Sequence, residues 1–125
     1  MKKIIATEKA PSAIGPYSQA NQIGNRLYIS GQLPLDPTTG KFGSDDIAGQ
    51  TRQSLTNAKS IIEAAGFTMD HVVKVTVLLD DIEEFAGMNS VYADFFTSNY
   101  PARAAFEVAK LPLGAKVEIE MIAEK

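Results

Sequence analysis

The sequence predicts an α+β fold, one mixed β-sheet with two α-helices laid across a single face. Short runs of β-branched and apolar residues, bounded by Gly, Pro and Asn, recur along the chain as strands. Two longer segments between them carry apolar residues at three- and four-residue steps, the spacing of an amphipathic helix. Two long helical crossovers make parts of the sheet parallel, while the short turns elsewhere make other parts antiparallel.

Lys3-Ile4-Ile5-Ala6 forms a short first strand, followed by a loop carrying Pro11, Gly15 and Pro16. Ala20 to Ile23 and Leu27 to Gly31 make a hairpin around Gly24-Asn25. Gln32 to Asp45, with Pro34, Pro37, Gly40 and Gly43, is a loop or an irregular hairpin. Asp46 to Ala65 is the first helix: Ile47, Thr51, Leu55, Ala58, Ile62 and Ala65 line one inward stripe, and Gly66 supplies the left-handed stop. Val72 to Leu79 is the clearest strand. Asp81 caps the second helix, with Glu84 three residues on completing a capping box, and the inward stripe is Phe85, Met88, Tyr92 and Phe95 with Phe96 at its edge. Pro101 prevents its continuation. Ala102 to Val108 and Lys116 to Ile122 are the last two strands, joined around Pro112 and Gly114.

Strand residues alternate between faces. In the last strand Val117, Ile119 and Met121 oppose Lys116, Glu118 and Glu120; in the strand before it Ala102, Ala104 and Phe106 oppose Arg103, Ala105 and Glu107. Placing the apolar sets under the helices leaves Ser30, Arg103 and Glu120 together on the uncovered face. That face either meets water or packs against other subunits.

At 125 residues the chain is expected to be a single domain spanning 1–125. A net charge of −3 and a pI of about 5.1 lack the cationic surplus that a nucleic-acid binder uses against phosphates. There is no cysteine, which excludes disulfides and thiol nucleophiles. The N-terminus does not read as a signal peptide, and no run reaches the ~18 apolar residues of a membrane span, so the expected compartment is the cytoplasm.

Few residues suggest chemistry. The single histidine, His71, reads as a turn residue rather than a general base. Arg103 sits in a strand among small residues, where a long cation calls for an anion. That anion is a ligand carboxylate, matched by the guanidinium fork, or simply Glu118, Glu120 or Glu107. Glu120 is open in the same way: the general base of a hydrolysis, or a neutraliser of Lys116 or Arg103.

Pro101-Ala102-Arg103-Ala104-Ala105-Phe106-Glu107-Val108-Ala109-Lys110-Leu111-Pro112, followed by Val117-Glu118-Ile119-Glu120-Met121, resembles the C-terminal signature of the reactive-intermediate deaminase family, also called YjgF-like or Rid proteins. Ala13-Ile14-Gly15-Pro16-Tyr17-Ser18-Gln19-Ala20 and Ile29-Ser30-Gly31-Gln32 are similar to its N-terminal and central motifs. Gln53-Ser54-Leu55-x-Asn57 and Phe85-x-x-Met88-Asn89-x-x-Tyr92 follow in family order.

The resemblance implies a chorismate-mutase-like fold, assembled as a homotrimer whose sheets pack into a central barrel with sites between neighbouring subunits. It also implies hydrolysis of 2-imino acids, the tautomers of enamines such as 2-aminoacrylate, to 2-keto acids and ammonia, with no metal and no organic cofactor. By the same resemblance Arg103 anchors the substrate carboxylate and Glu120 activates water, while Tyr17, Ser30, the Gly31 backbone and Asn89 shape the pocket. Many members have cysteine two residues after the arginine, where this chain has Ala105. The resemblance accommodates this if that position contributes backbone hydrogen bonds. The competing readings are a keto-acid- or amino-acid-binding regulator using the same cleft, and an endoribonuclease or translation inhibitor, which the charge disfavours.

Overall fold

Gly66 takes a φ of 80°, open to glycine at little cost, and so ends the first helix where the sequence places its stop. The Gly66 N–H donates to the Glu63 carbonyl and the Phe67 N–H to that of Ile62, the paired bonds of a Schellman motif. In the computed structural model, which describes residues 1–125, this helix is α1 (Ile47–Ala64), capped at its start by the Asp46 carboxylate accepting from the Gly49 N–H. The strands are β1 (Lys3–Ile5), β2 (Ala20–Ile23), β3 (Arg26–Gln32), β4 (Leu35–Asp36), β5 (Lys41–Phe42), β6 (Val72–Leu79), β7 (Ala102–Glu107) and β8 (Val117–Glu124); α2 spans Phe85–Phe95.

Six strands form one sheet in the order β1-β2-β3-β8-β6-β7, and β4 and β5 form a separate small hairpin within the predicted irregular stretch. Among hydrogen-bonded neighbours only β6 and β7 pair in parallel, because α2 carries the chain back between them. The α1 crossover from β3 to β6 leaves a gap that β8 fills, antiparallel to both. The last strand thus lies at the centre, and β7 becomes an edge.

Both helices cover one face. Under them lies a core of 22 buried residues that includes Leu27, Ile29, Val75, Val77, Leu79, Val117, Ile119 and Met121 from the sheet. From α1 it takes Leu55, Ala58, Ile61 and Ile62, and from α2 Met88, Val91 and Tyr92. Burying each large aliphatic side chain contributes about 1.5–3 kcal/mol, so this cluster dominates the stabilisation.

Three expectations need correction. The predicted capping box at α2 does not form. Asp81 accepts from the Glu83 N–H at the 3-10 turn Ile82–Glu84, while the Glu84 carboxylate turns away to Lys116 Nζ at 3.1 Å. Val91 is buried on α2 although the predicted stripe omitted it, and Phe96 is more buried than Phe95. The third concerns β7. Its register sets Arg103 beside Val75, Ala105 beside Val77 and Glu107 beside Leu79, so these three face the helices, and Ala104 and Phe106 face the open side. An edge strand lies at the margin of the helix layer, where a long side chain packs its stem and keeps its charge in water. Arg103 therefore lies on the opposite face from Ser30 and Glu120.

Candidate active site

The site begins with a loop pinned from inside. Gln19, buried, accepts from the Thr7 N–H at 2.7 Å and donates to the carbonyls of Thr7 (3.0 Å), Ala10 (3.3 Å) and Pro11 (2.8 Å). Ser30 ties the far end of this loop, its Oγ donating to the Ser18 carbonyl at 2.6 Å and its N–H to the Gln19 carbonyl at 3.0 Å. The Ser30 proton is thereby committed to structure, and its lone pairs stay available. Tyr17 rides on this loop, about half exposed.

After Ile29 the β3–β8 register shifts, a bulge that lasts until Gln32 pairs with Ile119. Bulges re-aim side chains, and this one brings the Gly31 backbone against β8. A Cβ at Gly31 would run into the Glu118 carboxylate, so any side chain here would push that carboxylate from its place. Beyond it the chain is fastened by Asn57 of α1, whose Nδ2 donates to the carbonyls of Leu33 (3.1 Å) and Leu35 (2.9 Å).

Three carboxylates share the open face of β8, and one of them, Glu124, is paired with Arg26 at 2.9 Å. Glu120 lies beside Thr76 in a recess lined also by Tyr28, Ser30 and Lys74, exposed and with no ion pair. Glu118 is half-buried over Gly31. Desolvation pushes its carboxyl above the usual range, and the negative charge of Glu120 pushes it further the same way. A carboxylate with a raised pKa in a partly dry recess suits a general base or acid. Sequence reasoning passed over Glu118. Alternation places both glutamates on one face, and only the bulge at Gly31 distinguishes them.

On the helix side, Arg103 Nη1 donates to Asn89 Oδ1 at 2.7 Å, and its guanidinium lies over the rings of Tyr92 (4.6 Å to the centroid) and Phe85 (5.4 Å). No carboxylate pairs with it, which removes the expected alternatives of Glu107, Glu118 and Glu120. Its cleft is completed by Ala93, Phe96, Tyr100 and Pro101. Ala105 lies two residues further on the same face, packed at the margin of the core. His71 is the predicted turn residue, with Nδ1 accepting from the Thr68 N–H at 2.9 Å. No three His, Asp or Glu side chains converge to hold a metal ion.

The predicted residues therefore form two groups. Ser30, Gly31 and Glu120 border the open face with Glu118, and Tyr17 lines a neighbouring cavity with Gly31; Asn89, Arg103 and Ala105 border the helix face at the β7 edge. Strands β7 and β8 are two places apart in the sheet, roughly 10 Å, and the groups project to opposite sides.

Residues 7–125 match the family model described as Endoribonuclease L-PSP. The chain belongs to this family. Among its relatives in the Endoribonuclease L-PSP family are proteins named 2-iminobutanoate/2-iminopropanoate deaminase. The one from Bos taurus is 52% identical, covering 98% of this chain and 90% of the relative. The one from Escherichia coli is 50% identical, covering 98% of both. The E. coli TdcF structure with bound serine superposes with a TM-score of 0.95 at 44% identity, covering 98% of both chains. The expected deaminase-family resemblance and fold class are borne out. No helix is long and apolar enough to cross a membrane.

Proposed function

We propose that this chain hydrolyses 2-imino acids, such as 2-iminopropanoate and 2-iminobutanoate, to 2-keto acids and ammonia, at sites shared between the subunits of a homotrimer. The observation that carries the reading is the unpaired Arg103, a guanidinium held in an open cleft with no carboxylate of its own. A small imino acid has one permanent charge, its carboxylate, and a guanidinium fork is the matching group.

Within one chain Arg103 and the Glu118 carboxylate project from opposite sides of the sheet. A second copy against the open face brings its own β8 glutamates to the first copy's β7 edge. Supporting this is an apolar patch on that otherwise polar face, where Tyr28 and Phe106 are 44% and 47% exposed and lie beside the half-buried Ile122 and Leu78.

Glu118, rather than Glu120, is the better general base, because it is half-buried over Gly31 and that burial raises its carboxyl pKa. Glu118 takes a proton from water as the oxygen attacks the C=N carbon, and the C=N electron pair moves to nitrogen. The carboxyl returns that proton to the nitrogen, giving a carbinolamine; it then takes the carbinolamine hydroxyl proton and passes it to the nitrogen as the C=O forms and the C–N bond breaks, so that the keto acid and ammonia leave. Asn89 steadies Arg103, and Ala105 contributes only backbone at the position where relatives carry cysteine. Tyr17 and Ser30 border the pocket. A net charge of −3 gives RNA phosphates little to bind.

The test is a coupled assay in which a dehydratase generates the 2-imino acid and keto-acid release is timed with and without this protein. Acceleration is expected, with Glu118→Gln slower by ~100- to 10,000-fold. No acceleration by the wild-type protein refutes the reading.

A further inference from the structure

We propose that Tyr92 is a positioning residue for Arg103, part of a carboxylate-free cradle on α2 that presents the guanidinium to an anion without neutralising it. This rests on Arg103 acting as the carboxylate anchor.

Phe85, Asn89 and Tyr92 are spaced by four and three residues, so they stand along one face of α2, and that face meets the β7 edge. Each touches the same guanidinium: the two rings lie at 5.4 Å and 4.6 Å from its central carbon, and Asn89 accepts at 2.7 Å. One of five N–H donors is used, and Nε and Nη2 have no partner in the chain. Proteins commonly fix an arginine with Asp or Glu, but here such an anion would compete with the ligand for the same fork. A ring face and an amide oxygen hold the plane while leaving the positive charge whole.

Tyr92 carries a second sign of this arrangement. Its residue is 6% exposed, and its hydroxyl is buried with no hydrogen-bond partner. A core position would ordinarily take phenylalanine to avoid that desolvation cost. Beneath a guanidinium, the electron-rich phenol strengthens the attraction to the cation.

The experiment measures pyruvate affinity by calorimetry alongside imine-hydrolysis kinetics for Tyr92→Leu, Tyr92→Phe, Asn89→Ala, Asn89→Asp and Arg103→Ala, with melting temperatures as the folding control. Tyr92→Leu is expected to weaken pyruvate binding and raise KM by ~2- to 30-fold, with Tyr92→Phe recovering most of the loss. Asn89 is exposed, so its variants are expected to fold as the wild type does. Asn89→Asp is expected to bind pyruvate at least ~10-fold more weakly than Asn89→Ala, because its carboxylate captures the fork. A merely structural Asn89 would show no such order. If Arg103→Ala impairs pyruvate binding while Asn89→Asp binds it as well as Asn89→Ala, the cradle is overturned and the anchor stands. If Arg103→Ala binds pyruvate and turns over normally, the anchor itself fails. Should Tyr92→Leu not fold, the Asn89 pair decides.

Discussion

Glu118 and Glu120, two residues apart on β8, differ in depth. Glu118 lies over a glycine that leaves it room, and Glu120 stands in the open recess. The raised pKa of Glu118 comes first from desolvation and second from Glu120. Glu120→Gln removes the like charge, so the acid limb of kcat/KM should move to lower pH with the neutral-pH rate largely kept. A limb that stays in place would show that the two do not interact. The same shift carries a stability cost. Between its ordinary pKa and its raised one, Glu118 binds more proton folded than unfolded, so stability falls as pH rises through that window. Glu118→Gln should therefore melt higher than the wild type above the window while losing turnover, a trade expected where a site holds strain for function. The sequence made the acidic face legible, because alternation fixes it. It could not choose between the two carboxylates, because that choice depends on a register shift in another strand.

At the scale of elements, the sequence was most legible where pattern and burial agree. The strand Val72–Leu79 has the predicted bounds, since its inward residues Val75, Val77 and Leu79 are apolar and central. It failed at β7, where alanines occupy both faces and give the alternation no contrast, so only pairing with β6 orients the strand. It also missed why α1 buries polar residues. Asn57 is one of them, accepting from Gln53 at 2.8 Å and clasping the carbonyls of Leu33 and Leu35 across the strap that follows Gly31. Truncating it leaves two part-buried carbonyls without this donor, and each hydrogen bond lost costs about 0.5–1.5 kcal/mol. Asn57→Ala should lower the melting temperature and also raise KM, because the strap that seats Gly31 against Glu118 loosens. A lower melting temperature with kinetics unchanged at a permissive temperature would separate the clasp from the site.

For the whole molecule, the decisive fact is that Arg103 and Glu118 project from opposite faces of one sheet. The sequence placed Arg103 and Glu120 together on one face and so missed this separation, which makes a shared site a matter of assembly. If neighbouring subunits of a trimer each supply one half, two inactive variants should rescue each other. Arg103→Ala subunits keep the glutamate and Glu118→Gln subunits keep the arginine, so a site works only where an arginine-bearing subunit meets a glutamate-bearing one in the correct rotational sense. A ring of three built from both kinds has one such junction, whichever kind is in the majority. Random co-refolding at equal amounts makes about three-quarters of the rings mixed, each with one working site in three, so activity should return to about a quarter of wild type. Light scattering should give three times 13.5 kDa for each variant and for the mixture. Were both residues supplied by the same subunit, every mixed ring would stay dead, and no recovery in co-refolded trimers of the correct mass would refute the shared site.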